Sequence, residues 1–454
     1  MARIVTRCPN PECGHAFRVD ESHVGKTARC KHCGTRFVIE PGSGQQSPPA
    51  PPIGAAGGPG ADALARRYVE AAERFRAVGD DRHAAGSYDQ AIGLYERLVH
   101  EEGRWDQAVA LASCYFEEAL VIGALGDEAS AGTLYDRSIQ LYERIVHQRG
   151  QWDVAGSLAL AYLNRGEAHR TSGDCRTAVD YYDRGIQILE HLVYQQNRWD
   201  QGSSLALCYI DKGIAVGVLG DSATELALYD RAIQICEHLT REGGEAEAAD
   251  HLAMAYMNKG VVLLNTTGDH AAAVSLYDRA IGIWDRLVHQ EGIAELLQKL
   301  AMCYWNKGEV FRVTSDLHNA AALYDRAIAL LEPAVYQQGR QDYGEVLVAN
   351  YRCKGLCHEG LGDFPGALAL YERGRDLMGW LVNQIGRADL VGDYAWMRLF
   401  WSDIAGKLGR QPEARREAQE AYPVLHYEVQ RTGRADLAQT LEWARKDLGW
   451  LLSG

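Results

Sequence analysis

Two pairs of cysteines open the chain: Cys8-Pro-Asn-Pro-Glu-Cys13 and Cys30-Lys-His-Cys33, with sixteen residues between them. Thiolate sulfur is a soft donor. Two tight turns carrying two cysteines each can place four sulfurs at the corners of a tetrahedron, the arrangement Zn2+ prefers. Gly14 and Gly34 directly follow the second cysteine of each pair, and glycine tolerates the positive φ that turns backbone N–H groups toward the sulfurs. His15, His23 and His32 are nitrogen donors in the same stretch, but Cys8, Cys13, Cys30 and Cys33 complete a four-coordinate site by themselves. A closed site keeps no position for a substrate, so the expectation is one structural Zn2+ ion rather than catalysis. Phe17-Arg-Val19 and Phe37-Val-Ile39 read as short strands. A segment of about 40 residues cannot build a sufficient core alone, so metal would be its main source of folding energy.

Elsewhere the reactive inventory is thin. His100, His147 and His289 recur at the ends of helical segments with no Ser, Cys or carboxylate triad in register. Cys353, Cys357 and His358 fall within two turns of one helix and form a second candidate metal cluster, but no further ligands are evident. The glycines Gly54, Gly57, Gly58 and Gly60 follow no strand and precede no Gly-Lys-Ser/Thr, so they are not a phosphate loop. Nothing supplies a nucleophile or an acid–base pair, and the chain reads as non-enzymatic.

The N-terminal pattern resembles bacterial zinc-ribbon domains. The residues carrying the likeness are Cys8, Pro9, Cys13, Gly14, Phe17, Val19, Gly25, Lys26, Arg29, Cys30, Cys33, Gly34 and Phe37. The first pair departs from that pattern, holding four residues between its cysteines where the family holds two. The resemblance implies a small β-rich ribbon over residues 1–40 and zinc binding, with no single activity attached.

That ribbon carries seven Lys/Arg against four Asp/Glu, a balance of +3, while the other 40 basic and 57 acidic residues leave −17. Four thiolates on one Zn2+ would bring the ribbon to about +1. Neither part has the strongly basic field of a nonspecific nucleic-acid binder. Arg3, Arg7, Arg18, Lys26, Arg29, Lys31 and Arg36 nevertheless support a second reading, a regulator whose ribbon touches nucleic acid while the remainder recruits a partner. Residues 41–61 hold six of the twelve prolines and no charge, the composition of a disordered linker. No run of eighteen apolar residues occurs and the start lacks a secretory pattern. With an odd number of scattered cysteines, these features point to a cytoplasmic protein.

From residue 62 onward one phrase recurs: Tyr88-Asp-Gln-Ala-Ile, Tyr135-Asp-Arg-Ser-Ile, Tyr182-Asp-Arg-Gly-Ile, Tyr229-Asp-Arg-Ala-Ile, Tyr277-Asp-Arg-Ala-Ile, Tyr324-Asp-Arg-Ala-Ile and Tyr371-Glu-Arg-Gly-Arg. The spacing is 47 residues, once 48. A degenerate eighth copy has Ala418 at the Tyr position. Each unit reads as two amphipathic helices. In the third, helix A is expected over Trp152–Ser172, a turn at Gly173-Asp174, and helix B over Arg176–Gln196. Such hairpins cannot bury their apolar sides singly, so they stack. The expected domains are 1–40, the linker 41–61, and an array of about eight units with a C-terminal capping helix over 62–454.

The units resemble tetratricopeptide repeats in register. Gly166, Gly213, Gly260, Gly308 and Gly355 take the family's helix-A glycine, and Ala84, Ala131, Ala178, Ala273, Ala320, Ala367 and Ala414 its first helix-B alanine, with Glu225 as the exception. The period is longer than the family's and its helix-B proline is mostly missing. The likeness implies an all-α, right-handed helical-hairpin solenoid whose inner groove is lined by A helices and binds protein or peptide. Two residues before the glycine stand Asn164, Asp211, Asn258 and Asn306, each followed by Arg165, Lys212, Lys259 or Lys307. A carboxamide both donates and accepts, so such a ladder could pair with an extended peptide backbone, or could instead brace neighbouring helices. Trp105, Trp152 and Trp199, opening three successive A helices, are expected to pack in the apolar seam rather than form the alternative, an exposed aromatic patch.

Overall fold

The computed structural model describes residues 60–243 and 246–452 in full, and the backbone of four strands: β1 (Arg3–Arg7), β2 (Ala16–Asp20), β3 (Thr27–Arg29) and β4 (Arg36–Val38). β1 pairs antiparallel with β2, closing on Arg7 opposite Ala16, and β3 with β4, closing on Arg29 opposite Arg36. The expected ligands Cys8, Cys13, Cys30 and Cys33, and the linker up to residue 59, lie outside the described residues.

Eight helical hairpins follow among the described residues. Their A helices are α1 (Ala61–Ala77), α3 (Ala108–Ala124), α5 (Ala155–Thr171), α7 (Gly202–Val218), α9 (Ala246–Thr267), α11 (Leu297–Val313), α13 (Gly344–Gly360) and α15 (Val391–Lys407). Their B helices are α2 (Asp81–Glu96), α4 (Glu128–Glu143), α6 (Cys175–Glu190), α8 (Ser222–Arg241), α10 (His270–His289), α12 (Leu317–Tyr336), α14 (Phe364–Trp380) and α16 (Gln411–Thr432). The helices α17 (Ala435–Asp447) and α18 (Gly449–Leu452) pack on the last hairpin and cover its open side.

The turn inside each hairpin is written locally. Asp80, Asp127, Asp174, Asp221, Asp269, Asp316 and Asp363 cap the B helices, each accepting the backbone N–H three residues on. This cap supplies a partner to an orphan donor and places a carboxylate on the positive helix end. The residue before each cap has positive φ. It is glycine in all but the sixth hairpin, where Ser315 adopts φ 65°. Between hairpins α2, α4, α6 and α14 end in a five-residue π turn. The chain then reverses and enters a short 3-10 turn, Trp152–Val154 in the third unit, before the next A helix. Helix A of that unit therefore starts three residues later than its expected Trp152, and these turns help account for the long period.

Packing repeats with the sequence. Tyr182, Tyr229, Tyr277, Tyr324 and Tyr371 are buried, and each ring lies on the bare backbone of the helix-A glycine of its own hairpin. A Cβ at Gly260 would sit 2.8 Å from the Tyr277 ring, so glycine here is a requirement of close approach. Glu225 breaks the alanine register without leaving a hole: its carboxyl occupies the space over Gly217 and accepts the Tyr229 hydroxyl at 3.1 Å. Helix α3 with its entry turn, Trp105–Ala124, has the length and hydropathy of a membrane span. In the array it packs between α2 and α4, burying Leu111, Tyr115 and Phe116.

Consecutive A helices from α5 to α13 touch one another directly, which consecutive B helices do not do to the same extent. The array therefore bends with its A helices on the inner side.

Candidate functional site

Asn164, Asp211, Asn258 and Asn306 occupy one register on α5, α7, α9 and α11, on helices that approach each other along the inner side. All four are half-buried. They do not behave alike. The Asn164 amide donates to the Leu160 carbonyl of its own helix at 2.9 Å. Asn258 and Asn306 make no side-chain hydrogen bond to any described residue, so both donors and the acceptor of each amide are available. Asp211 is also unbonded. Burial pushes its carboxyl up to about 7, Glu167 adds to the rise, and Arg170 opposes it.

The surroundings of this row are mixed. One turn earlier stand Leu160, Leu207, Met254 and Met302, of which Leu160 and Met302 are 39% and 38% exposed. One turn later stand Glu167, Ile214, Val261 and Glu309. Glu167 and Glu309 are held by Arg170 and Arg312 at 2.5 and 2.7 Å, and each accepts the buried tyrosine of its hairpin. The surface thus offers apolar contact beside unpaired amides, a combination suited to an extended chain.

The basic residues that follow the row do not point into it. Arg165, Lys212, Lys259 and Lys307 reach back to Asp136, Asp183, Asp230 and Asp278 on the preceding B helix, at 2.9, 2.5, 2.5 and 2.5 Å. Lys354 repeats the contact with Asp325 at 2.5 Å. The aspartates belong to the recurring Tyr-Asp phrase, twenty-nine residues earlier. Sequence reading saw both patterns and not their pairing.

A second ladder was missed altogether. Tyr115, Tyr162, Tyr209, Tyr256 and Tyr351 donate their hydroxyls to Glu96, Glu143, Glu190, Glu237 and Glu332, nineteen residues earlier. Arg137, Arg231, Arg279 and Arg373 of the next B helix pair with four of those carboxylates. The signal that could have found it is the tyrosine that recurs in helix A every 47 or 48 residues, nineteen residues after an acidic residue. These triads line two shallow clefts, one containing Glu96, Tyr115 and Arg137, the other Glu190, Tyr209 and Arg231.

Other candidates resolve into structure. Cys353 and Cys357 are buried thiols that desolvation raises to about 12 and about 11, and His358 turns to Asp363 at 2.7 Å, so the trio is not gathered round one point. Trp105, Trp152 and Trp199 are half-buried against the core, with Trp199 on His238 at 4.1 Å between ring centres. His251 is buried with Ser203 Oγ 3.0 Å from Nδ1. The adjacent Asp250 directs its two oxygens to Trp284 Nε1 and Lys299 Nζ, at 2.7 and 2.6 Å.

No protein-family model and no curated protein matches the sequence. Solved structures match in part. BtubC from P. vanneervenii is 18% identical, covering 56% of this chain and 91% of that one, with a TM-score of 0.46. A signal-transduction ATPase with a tetratricopeptide-repeat sensor from Pyrococcus horikoshii is 14% identical over 85% of this chain, with a TM-score of 0.49; the chain spans 55% of its length. The nuclear import adaptor Nro1 of S. pombe is 16% identical, covering 64% of this chain and 99% of that one, with a TM-score of 0.45. What the chain's own contacts establish is an array of helical hairpins, stitched by two ladders of polar contacts and bearing a row of half-buried amide and acid side chains along its inner side.

Proposed function

We propose that the chain is a non-enzymatic interaction scaffold whose inner face clasps an extended segment of a partner protein. The observation that carries this reading is the pair of unbonded amides, Asn258 and Asn306, beside the exposed Met302. Buried amides ordinarily find a partner in protein or ordered water, and these two, half-buried, have none among the described residues. Standing in neighbouring repeats, they are positioned to pair with a peptide backbone. Extended peptides selected on the full chain from a random display library test the idea. One lost hydrogen bond is worth about 0.5–1.5 kcal/mol, so Asn258→Ala and Asn306→Ala should each weaken such peptides by about 2- to 12-fold. Unchanged affinity in both variants would discard the groove.

The N-terminal segment is proposed to hold one structural zinc ion through Cys8, Cys13, Cys30 and Cys33. In both strand pairs one cysteine directly follows the outgoing strand and the other stands three residues before the returning one, although the first joining stretch is two residues longer. Metal analysis of purified chain should return one zinc per molecule, lost in Cys30→Ser; a full zinc content in that variant would rule out this ligand set. The seven described cysteines outside this segment are buried free thiols, in keeping with the cytoplasmic location proposed here.

A further inference from the structure

The Lys/Arg–Asp ladder has a defect at its N-terminal end. Five interfaces between hairpins carry it, from Arg165–Asp136 to Lys354–Asp325. At the first interface the aspartate is kept as Asp89, but the position twenty-nine residues on is Glu118. A carboxyl thus stands where the next five copies place a cation; at the last interface the two positions are Glu372 and Trp401. Glu118 is 9% exposed and accepts no hydrogen bond from any described residue. Asp89 above it is exposed.

The groups that face Glu118 are Asp89 and Glu96 from α2 and Arg137 from α4. Arg137 is already engaged, 3.7 Å from Glu96 and over the Tyr115 ring. Leaving a desolvated carboxyl beside a like charge is costly, and burial with the Asp89 charge raises Glu118 to about 7. Among the described residues no group of three or more His, Cys, Asp or Glu is gathered to hold a metal ion. The five intact copies show instead what this seat accommodates: a guanidinium or ammonium lying between two helices.

We propose that Asp89 and Glu118 form a receptor for a Lys or Arg side chain supplied from outside the array, so that a basic partner segment completes the first rung of the ladder. The site is separate from the amide row and stands whether or not that row binds a peptide. Two sources can offer the same chemistry, a second protein or the basic N-terminal segment of this chain, which precedes α1 in the sequence.

The test uses the full chain at pH 7, with N-acetylarginine amide as probe and its uncharged isostere N-acetylcitrulline amide as control. Arginine amide should raise the melting temperature saturably by about 1–2 °C, and citrulline amide should not. Glu118→Lys restores the internal cation, so it should melt higher than the parent and no longer respond to arginine amide. Glu118→Gln should lose the response without needing the new charge. A chain with Arg3, Arg7, Arg18, Arg29 and Arg36 changed to Gln identifies the source. A stronger response than the parent's shows that the N-terminal segment fills the seat, and an equal one that a second protein does. The proposal is overturned if arginine amide acts equally on the parent, Glu118→Lys and Glu118→Gln, or if Glu118→Lys melts no higher than the parent.

Discussion

Replacing Gly260 by alanine is the sharpest probe of how the hairpins close. A Cβ there would stand 2.8, 3.1 and 3.3 Å from Cε1, Cζ and Cδ1 of Tyr277. Carbon atoms rest about 3.5–4.0 Å apart, so the ring must retreat by more than half an ångström. Tyr277 is 1% exposed, and its neighbours leave it little room. Overpacking of this kind costs about 1–3 kcal/mol, while alanine gains about 1 kcal/mol over glycine in helix propensity. The net expectation is a loss of about 0–2 kcal/mol. The first two hairpins carry Ala72 and Ala119 at the same register, so the fold survives and the loss stays moderate. Denaturant unfolding followed by far-ultraviolet circular dichroism reads the change. Because arrays lose stability unit by unit, hydrogen exchange over residues 246–289 should show the loss concentrated in that hairpin. The cycle with Tyr277→Leu completes the test: the smaller side chain should relieve the clash, giving a favourable coupling of about 0.5–2 kcal/mol. A Gly260→Ala chain at least as stable as its parent, with no coupling to Tyr277→Leu, would refute the claim that this ring rests on bare backbone.

Three further outcomes are expected. Asp211 has its folded-state carboxyl raised to about 7 from 3.8, so its contribution to stability is present below about pH 4 and is lost as pH rises to 7; Asp211→Asn should flatten the stability–pH profile in that window, and an unchanged slope would contradict the burial argument. Tyr209→Phe removes a hydroxyl that donates to Glu190 and accepts from Arg231 at 3.1 Å, and should cost about 1 kcal/mol in denaturant unfolding, whereas an unaltered midpoint would mean the ladder adds nothing to stacking. Stripping metal with a chelator should leave the helical dichroism of the array intact while exposing four reactive thiols, and a collapse of helicity would show that the array depends on the metal.

Much of the fold was legible because its instructions are local. The Gly-Asp turn works within three residues, since the aspartate caps the helix it begins. Glycine and tyrosine meet within one hairpin, sixteen residues apart in the case of Gly166 and Tyr182. A strict period then repeats each instruction, and the eight hairpins follow. The amide row was legible by register as well, but not the difference within it. Asn164 is spent on its own helix while Asn258 and Asn306 are not, and local sequence around the three is too similar to separate them.

By itself the sequence determined that hairpins form, where they turn, which side of each helix is apolar, and that two cysteine pairs suit one zinc ion. Only the tertiary structure decided which polar groups meet between hairpins. Lys212 and Asp183, or Tyr209 and Glu190, lie on different units, and whether they touch depends on the rotation from one unit to the next. That rotation comes from the summed packing of buried side chains along the whole stack, which no single stretch of chain specifies. The same geometry turns the basic residues away from the inner face, and sets Glu118 against Asp89 at the first interface, where the cation is replaced by a carboxyl.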